Sequence, residues 1–236
     1  MAFRSRAAAW AVFVVGMFAA SAFTVVTALN SQPVVFSVQA SADTFLSTYY
    51  ADEPQGSGNT LWVTNQDGQL NWTLLLFNVA GKMRPGDLVT EARVQLTVVA
   101  ASGSGFPATI VTGRLLTSWN EQTATFETKP LMAFDTRTAT LVKNPPAFGD
   151  TIWIDITKQL NRWHIFGGPS NFGTVMQISN DVNDVSIGFG SREDRTQETV
   201  VPRIQVKYTP GPKSLYGYGV DLNLGLVELA AAVRFD

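Results

Sequence analysis

Apolar residues recur at every second position through most of the chain, broken by turn-forming residues about every ten to fifteen positions. The pattern is clearest over Glu91–Ala100, where Val94, Leu96 and Val98 share one side and Arg93, Gln95 and Thr97 the other. Pro202–Tyr208 repeats it, with Ile204, Val206 and Tyr208 inward and Arg203, Gln205 and Lys207 outward. Ile152, Ile154 and Ile156 mark a strand whose Trp153 faces the opposite side. Asp43–Tyr49, Thr60–Asn65, Trp72–Val79, Ala108–Thr117, Gly173–Ser179 and Val185–Gly190 complete the set, and Gln66-Asp67-Gly68 reads as a hairpin turn. Only Thr157–Phe166 has a helical pattern, with Asp155 or Thr157 as its cap. About nine or ten short antiparallel strands and one helix predict an all-β fold, an antiparallel jelly-roll β-sandwich over residues 43–208.

Both ends carry a different pattern. Ala7–Leu29 is a run of 23 residues without a charge, preceded by Arg4 and Arg6. As a signal peptide, the arginines form the n-region and Ala20-Ser21-Ala22 offers a cleavage site. As an uncleaved transmembrane helix, the run spans roughly 35 Å, enough for a bilayer core, with the arginines in the cytoplasm. Both readings place the remainder outside the cytoplasm, secreted or membrane-anchored. Residues 30–42 read as a linker whose apolar patch, Val34-Val35-Phe36, either pairs with the domain edge or is lent to a neighbour. After a Pro/Gly break, residues 209–236 form a C-terminal extension. Tyr216, Tyr218, Val220, Leu222, Leu224 and Leu226 alternate strictly there, as in a half-buried strand. Leu222, Leu226, Leu229 and Val233 also fit a helix. A strand of this kind must be covered, by its own domain, another subunit or a membrane protein.

Composition narrows the chemistry. The chain has 236 residues, no cysteine and one histidine, His164, so thiolate zinc sites and His-rich metal sites within one chain are excluded. Net charge is −2, and no Lys/Arg cluster offers the basic face of a nucleic-acid binder. A Ser-His-acid triad would have to use His164, which sits beside Trp163 with no nucleophile elbow. Glycoside hydrolysis needs two facing carboxylates. Glu121, Glu127, Asp155, Glu193 and Asp194 are available, but a cap and a charged turn account for Asp155, Glu193 and Asp194, and no catalytic residue is assigned. Asp181, Asn183 and Asp184 in one loop, with Asp43, form the candidate set for a structural calcium ion, the only cofactor considered. For sugar stacking, the candidate ligand-binding residues are Trp62, Trp72 and Trp153 with Arg93. An Asn71-Trp72-Thr73 sequon is also present.

Six segments occur in a familiar order: ADTFLSTYY at 42–50, GSGNTLWVTN at 56–65, the 72–98 stretch with its strand ending in Phe77, WNEQTATFETKP, IDITKQLNRW, and SREDRTQETVVPRIQVKY. Together they resemble the DNRLRE-type domain, also grouped as carbohydrate-binding module family 96, over about 43–208. Phe126 stands where a Trp is common, and Phe77-Asn78 replaces Phe-Asp. The resemblance implies a non-catalytic, extracytoplasmic carbohydrate-binding module whose partner is a polysaccharide. It also implies that Trp119 packs in a corner while Glu121 bonds nearby backbone or an Arg. The alternative is a structural or assembly subunit of an extracellular filament, envelope layer or membrane complex, using the strands at 33–40 and 215–227 as contacts.

Overall fold

The computed structural model describes residues 32–166, 170–194 and 200–211. The apolar segment at 7–29 and the alternating strand at 216–226 lie outside the described residues. Among the described residues no helix is long and apolar enough to cross a membrane. Among the described residues every element lies in the compact unit Val34–Tyr208, apart from Thr209 at the end of the last strand.

Among the described residues the fold is antiparallel and all-β with one short helix. Its strands are β1 (Val34–Ser47), β2 (Thr60–Gln66), β3 (Gln69–Phe77), β4 (Leu88–Ser102), β5 (Ala108–Leu115), β6 (Met132–Ala133), β7 (Ala139–Val142), β8 (Thr151–Asp155), β9 (Thr174–Ile178), β10 (Val185–Gly190) and β11 (Arg203–Thr209). The helix α1 spans Thr157–Phe166, as its periodicity predicts. Asp155 supplies its cap: Oδ1 accepts from Thr157 N at 2.8 Å.

Two long strands serve both sheets. The first half of β1 pairs with β11, and from Ala40 onward it pairs with β3. A register shift between Ala40 and Ala42 marks the change, as expected where a bulge bends a strand from one sheet to another. β4 pairs with β8 over Arg93–Thr97 and with β10 from Val98 onward. The ladder β1–β11–β4–β10–β2–β3 returns to β1, and β9, β5, β6 and β7 extend from β3. Closure removes open edges along that path.

Within the expected linker at 30–42, Val34–Gln39 is a strand, and its apolar patch takes the first of the two expected roles, pairing with the domain's own edge. Phe36, Val38 and Ala40 face the core while Val35, Ser37 and Gln39 are exposed, and the segment is paired to the domain's own β11. The small residues that follow conceal this alternation in the sequence. At the hairpin, Asp67 (φ 51°) and Gly68 (φ 80°) form the two-residue loop between β2 and β3, the paired positive φ of a type I′ turn.

The main core joins both sheets through residues such as Val94, Leu96, Ile154, Phe189, Ile204 and Val206, with Leu160 and Trp163 of α1. A second cluster, Leu46, Leu74, Leu115, Ala124 and Val175, is packed by Trp72, Trp119, Phe126 and Phe172. The 117–130 segment supplies this outer cover.

Candidate functional site

The four residues expected to bind ligand divide into two groups. Trp62 is half-buried, and its ring lies against Gly188: a Cβ there would meet Trp62 Cζ3 at 3.0 Å. Trp72 is half-buried in the second cluster, its ring 5.1 Å from Phe126. Both pack on neighbouring groups through one part of the ring, and neither lies on the β4–β8 ladder that carries the other two. Asn71 between them is 5% exposed and its Nδ2 donates to Thr64 Oγ1 at 3.0 Å, so the sequon amide is turned into the sheet.

Trp153 and Arg93 do come together. On the β4–β8 ladder Trp153 stands opposite Gln95, Arg93 opposite Asp155 and Thr97 opposite Thr151. Their partners in alternation, Val94, Leu96 and Ile154, are fully buried, so these six side chains share the outward face. Directly opposed residues have Cβ atoms about 5 Å apart and diagonal ones about 7 Å, which places Arg93 within reach of the indole. Trp153 is 39% exposed, a large ring open to solvent on the outward face of its strand. Glu91 holds Arg93 with an ion pair of 2.7 Å. The same face continues across β11 through Gln205 and Lys207 to Ser37 and Gln39 of β1.

On its other flank Trp153 borders a cavity of about 340 Å³ between β7 and β8, lined also by Leu141, Pro146 and Asp150. The 143–150 loop beside it is fixed to β4 by Val98 N to Asp150 O and Gly149 N to Val98 O, each 2.8 Å. That loop presents Phe148, 74% exposed. The surface thus combines an open indole, planar amides, hydroxyls and charges of both signs, a donor and acceptor set suited to a polyhydroxylated ligand. The amides and hydroxyls around Trp153 were not singled out from the sequence. Their signal was the outward half of the alternation in β4, β8 and β11.

A second convergence holds the loops. Asp43, Glu121 and Arg192 come from three separate motif segments. Arg192 Nε donates to Glu121 Oε2 at 3.2 Å, Nη2 pairs with Oε1, and Nη2 also meets Glu193 Oε1 at 3.0 Å. Burial works against the charged guanidinium, but the carboxylates of Glu121, Glu193 and Asp43 outweigh it and raise its pKa. Asp43 accepts from Ser191 Oγ at 3.1 Å and Arg192 N at 2.8 Å, and its own N–H donates to Glu121 Oε2 at 3.1 Å. It is 1% exposed, and burial pushes its carboxyl from 3.8 up to about 6 against the hydrogen bonds from Arg192 and Ser191. Gly56 packs on the backbone of Glu121, where a Cβ would fall 2.0 Å from the carbonyl oxygen. Trp119 donates Nε1–H to Phe172 O at 2.8 Å. Glu121 and Glu193 thus converge on one guanidinium, an arrangement that clamps chain segments and does not oppose two carboxylates across a cleft.

The expected calcium residues are not gathered. Asp43 meets Ser191, just after β10, whereas Asp184 precedes β10, so a six-residue strand separates them by roughly 20 Å at about 3.3 Å per residue. Asp184 (φ 59°) accepts from Ser104 N at 2.8 Å, Ser104 Oγ at 2.6 Å and Gln66 Nε2 at 2.8 Å, and these bonds hold its carboxyl below the usual range. Asp181 is held low chiefly by a hydrogen bond from Ser179, and Asn183 is exposed. Among the described residues no group of three or more His, Cys, Asp or Glu is placed to hold a metal ion. His164 has Nε2 3.0 Å from Asp87 O on the flank of α1.

The family model described as carbohydrate-binding module family 96 matches residues 34–203. Its start coincides with the first residue of β1, nine residues before the boundary expected from the motifs. No curated protein matches the chain.

Proposed function

The chain belongs to carbohydrate-binding module family 96, and on that premise we propose that it is a non-catalytic, extracytoplasmic jelly-roll module that holds polysaccharide on the outward face of β4 and β8. The carrying observation is Trp153, open to solvent, directly opposite Gln95 and diagonal to Arg93. The indole offers an apolar plate to the C–H face of a sugar ring. Gln95, Arg93, Asp155 and the threonines are placed to exchange hydrogen bonds with its hydroxyls. A ligand lying along the strands crosses several such side chains, which suits a polymer better than a single sugar. The rigid ladder beneath them limits the ordering cost of binding.

The test is affinity electrophoresis of the full chain through gels containing a panel of plant, algal and bacterial polysaccharides. At least one polymer is expected to retard the protein, and Trp153→Ala is expected to abolish that retardation with thermal unfolding unchanged. Retardation that survives Trp153→Ala would place binding on another surface.

A further inference from the structure

One end of the domain gathers the start of β1, the end of β11, the start of β4 and the end of α1. Val34, the first residue of β1, stands opposite Tyr208 of β11. Thr90 of β4 donates its hydroxyl to Lys207 O at 3.1 Å, which sets the beginning of β4 at the same level. Asn161 Nδ2 of α1 donates to Val89 O at 3.3 Å, and His164 Nε2 lies 3.0 Å from Asp87 O.

Large apolar side chains are open at this end. Leu88 is 63% exposed and Ile165 73%, and Val34 and Val35 are exposed across β11 from the start of β4. The 78–86 loop borders α1 beside Trp163 and His164. It carries Val79, Met83 and Pro85 with the exposed Lys82 and Arg84, and it contains no acidic residue. Asp87, which pairs with Arg84 at 3.6 Å, is buried. Single exposed apolar residues are ordinary, but several together, rimmed by polar groups, mark a contact surface. Apolar side chains set among lysine and arginine are the composition that enters the headgroup layer of an anionic membrane.

Covalent connection decides between partners. Residues 7–29 carry no charge and are numerous enough to cross a bilayer core. Four residues, 30–33, join that run to Val34. Even fully extended, the link holds Val34 within about 18 Å of Leu29. We propose that this end of the domain rests on an anionic phospholipid bilayer, with Leu88 and Ile165 in the headgroup layer and Lys82 and Arg84 on the lipid phosphates. The proposal rests on the extracytoplasmic reading above and on residues 7–29 remaining attached. Arg93, opposite Asp155 and diagonal to Trp153, lies five residues along β4 from Leu88, about 16 Å, so docking leaves the sugar face open.

The chain has no cysteine, so single nitroxide labels can be placed one at a time. The full chain is labelled at Leu88→Cys, at Ile165→Cys or, as the control beyond the far end of β1, at the exposed Tyr49→Cys. Each is reconstituted in vesicles of phosphatidylcholine and phosphatidylglycerol and recovered by flotation. Electron spin resonance then reads access to a water-soluble nickel chelate and to oxygen. Labels at 88 and 165 are expected to lose access to the chelate and stay open to oxygen, while the label at 49 stays open to the chelate. Phosphatidylcholine alone is expected to weaken that shielding. Equal chelate access at 88, 165 and 49 in a chain that floats would overturn the docking surface and leave residues 7–29 as a tether only. A chain that does not float with the vesicles would overturn the attachment as well. Shielding that disappears in nanodiscs holding one chain each would overturn the proposal by assigning the surface to a second copy. None of these readings depends on polysaccharide, so failure of the sugar site is scored separately.

Discussion

Arg192 and Glu121, 71 residues apart in sequence, meet in a two-pronged ion pair, and the same carboxylate accepts the backbone N–H of Asp43. One guanidinium thereby ties β1, the 117–130 segment and the turn after β10. The arginine side chain is 32% exposed and that of Glu121 14%, so the pair lies between a surface bridge and a buried one. Arg192→Met should cost about 2 kcal/mol, above the ~0–1 kcal/mol of exposed pairs and below the ~3–5 kcal/mol of fully buried ones. Urea unfolding at neutral pH reads the difference. Arg192→Lys should recover only part of it, because an ammonium cannot reproduce the fork.

Asp43 gives the clamp a pH dependence. Its folded pKa of about 6 exceeds the ordinary 3.8, so the folded state binds the proton more tightly. Its contribution to stability is fully present below 3.8 and is lost as pH rises through about 6, a change on the order of 3 kcal/mol. Asp135, Asp181 and Asp184 are shifted the other way, and their contribution disappears only as pH falls below the ordinary range. Stability measured between pH 4.5 and 7.5 should therefore decline for the natural chain and stay nearly level for Asp43→Asn. A parallel decline in both would assign the effect to other groups.

Gly56 has no room for a side chain. A Cβ would lie 2.0 Å from Glu121 O and 2.5 Å from its carbonyl carbon, and backbone cannot move aside as a flexible side chain would. Gly56→Ala should destabilise by about 3 kcal/mol or more, the upper range for overpacking. Gly58→Ala, whose nearest contact is 3.3 Å, should be much milder. Paired thermal melts of the two variants provide the check.

The tryptophans should separate binding from folding. Trp153→Ala should weaken polysaccharide binding by about tenfold or more, which is about 1.4 kcal/mol, with little change in Tm. Trp72→Ala removes a ring that packs on Phe126 and the second cluster, and should cost about 2–3 kcal/mol of stability while binding persists in the folded fraction. Isothermal titration alongside denaturation measures both quantities.

Local chemistry is what the sequence by itself determined. The alternation in β4 and β11, the Asp-Gly turn and the capped helix all depend on neighbours a few residues apart, and each formed as its pattern predicts. The expected roles of Glu121, bonding an Arg and backbone, and of Trp119 are likewise met. Only the tertiary structure decided which outward positions lie side by side. Trp62, Trp72 and Trp153 look alike in sequence, yet their burial depends on what the sheet path and the 117–130 segment cover. The same holds for Asp43 and Asp184: both are loop-adjacent carboxylates, but a strand runs between them. Registers and crossovers are set by contacts between distant segments, and no periodicity along the chain encodes them.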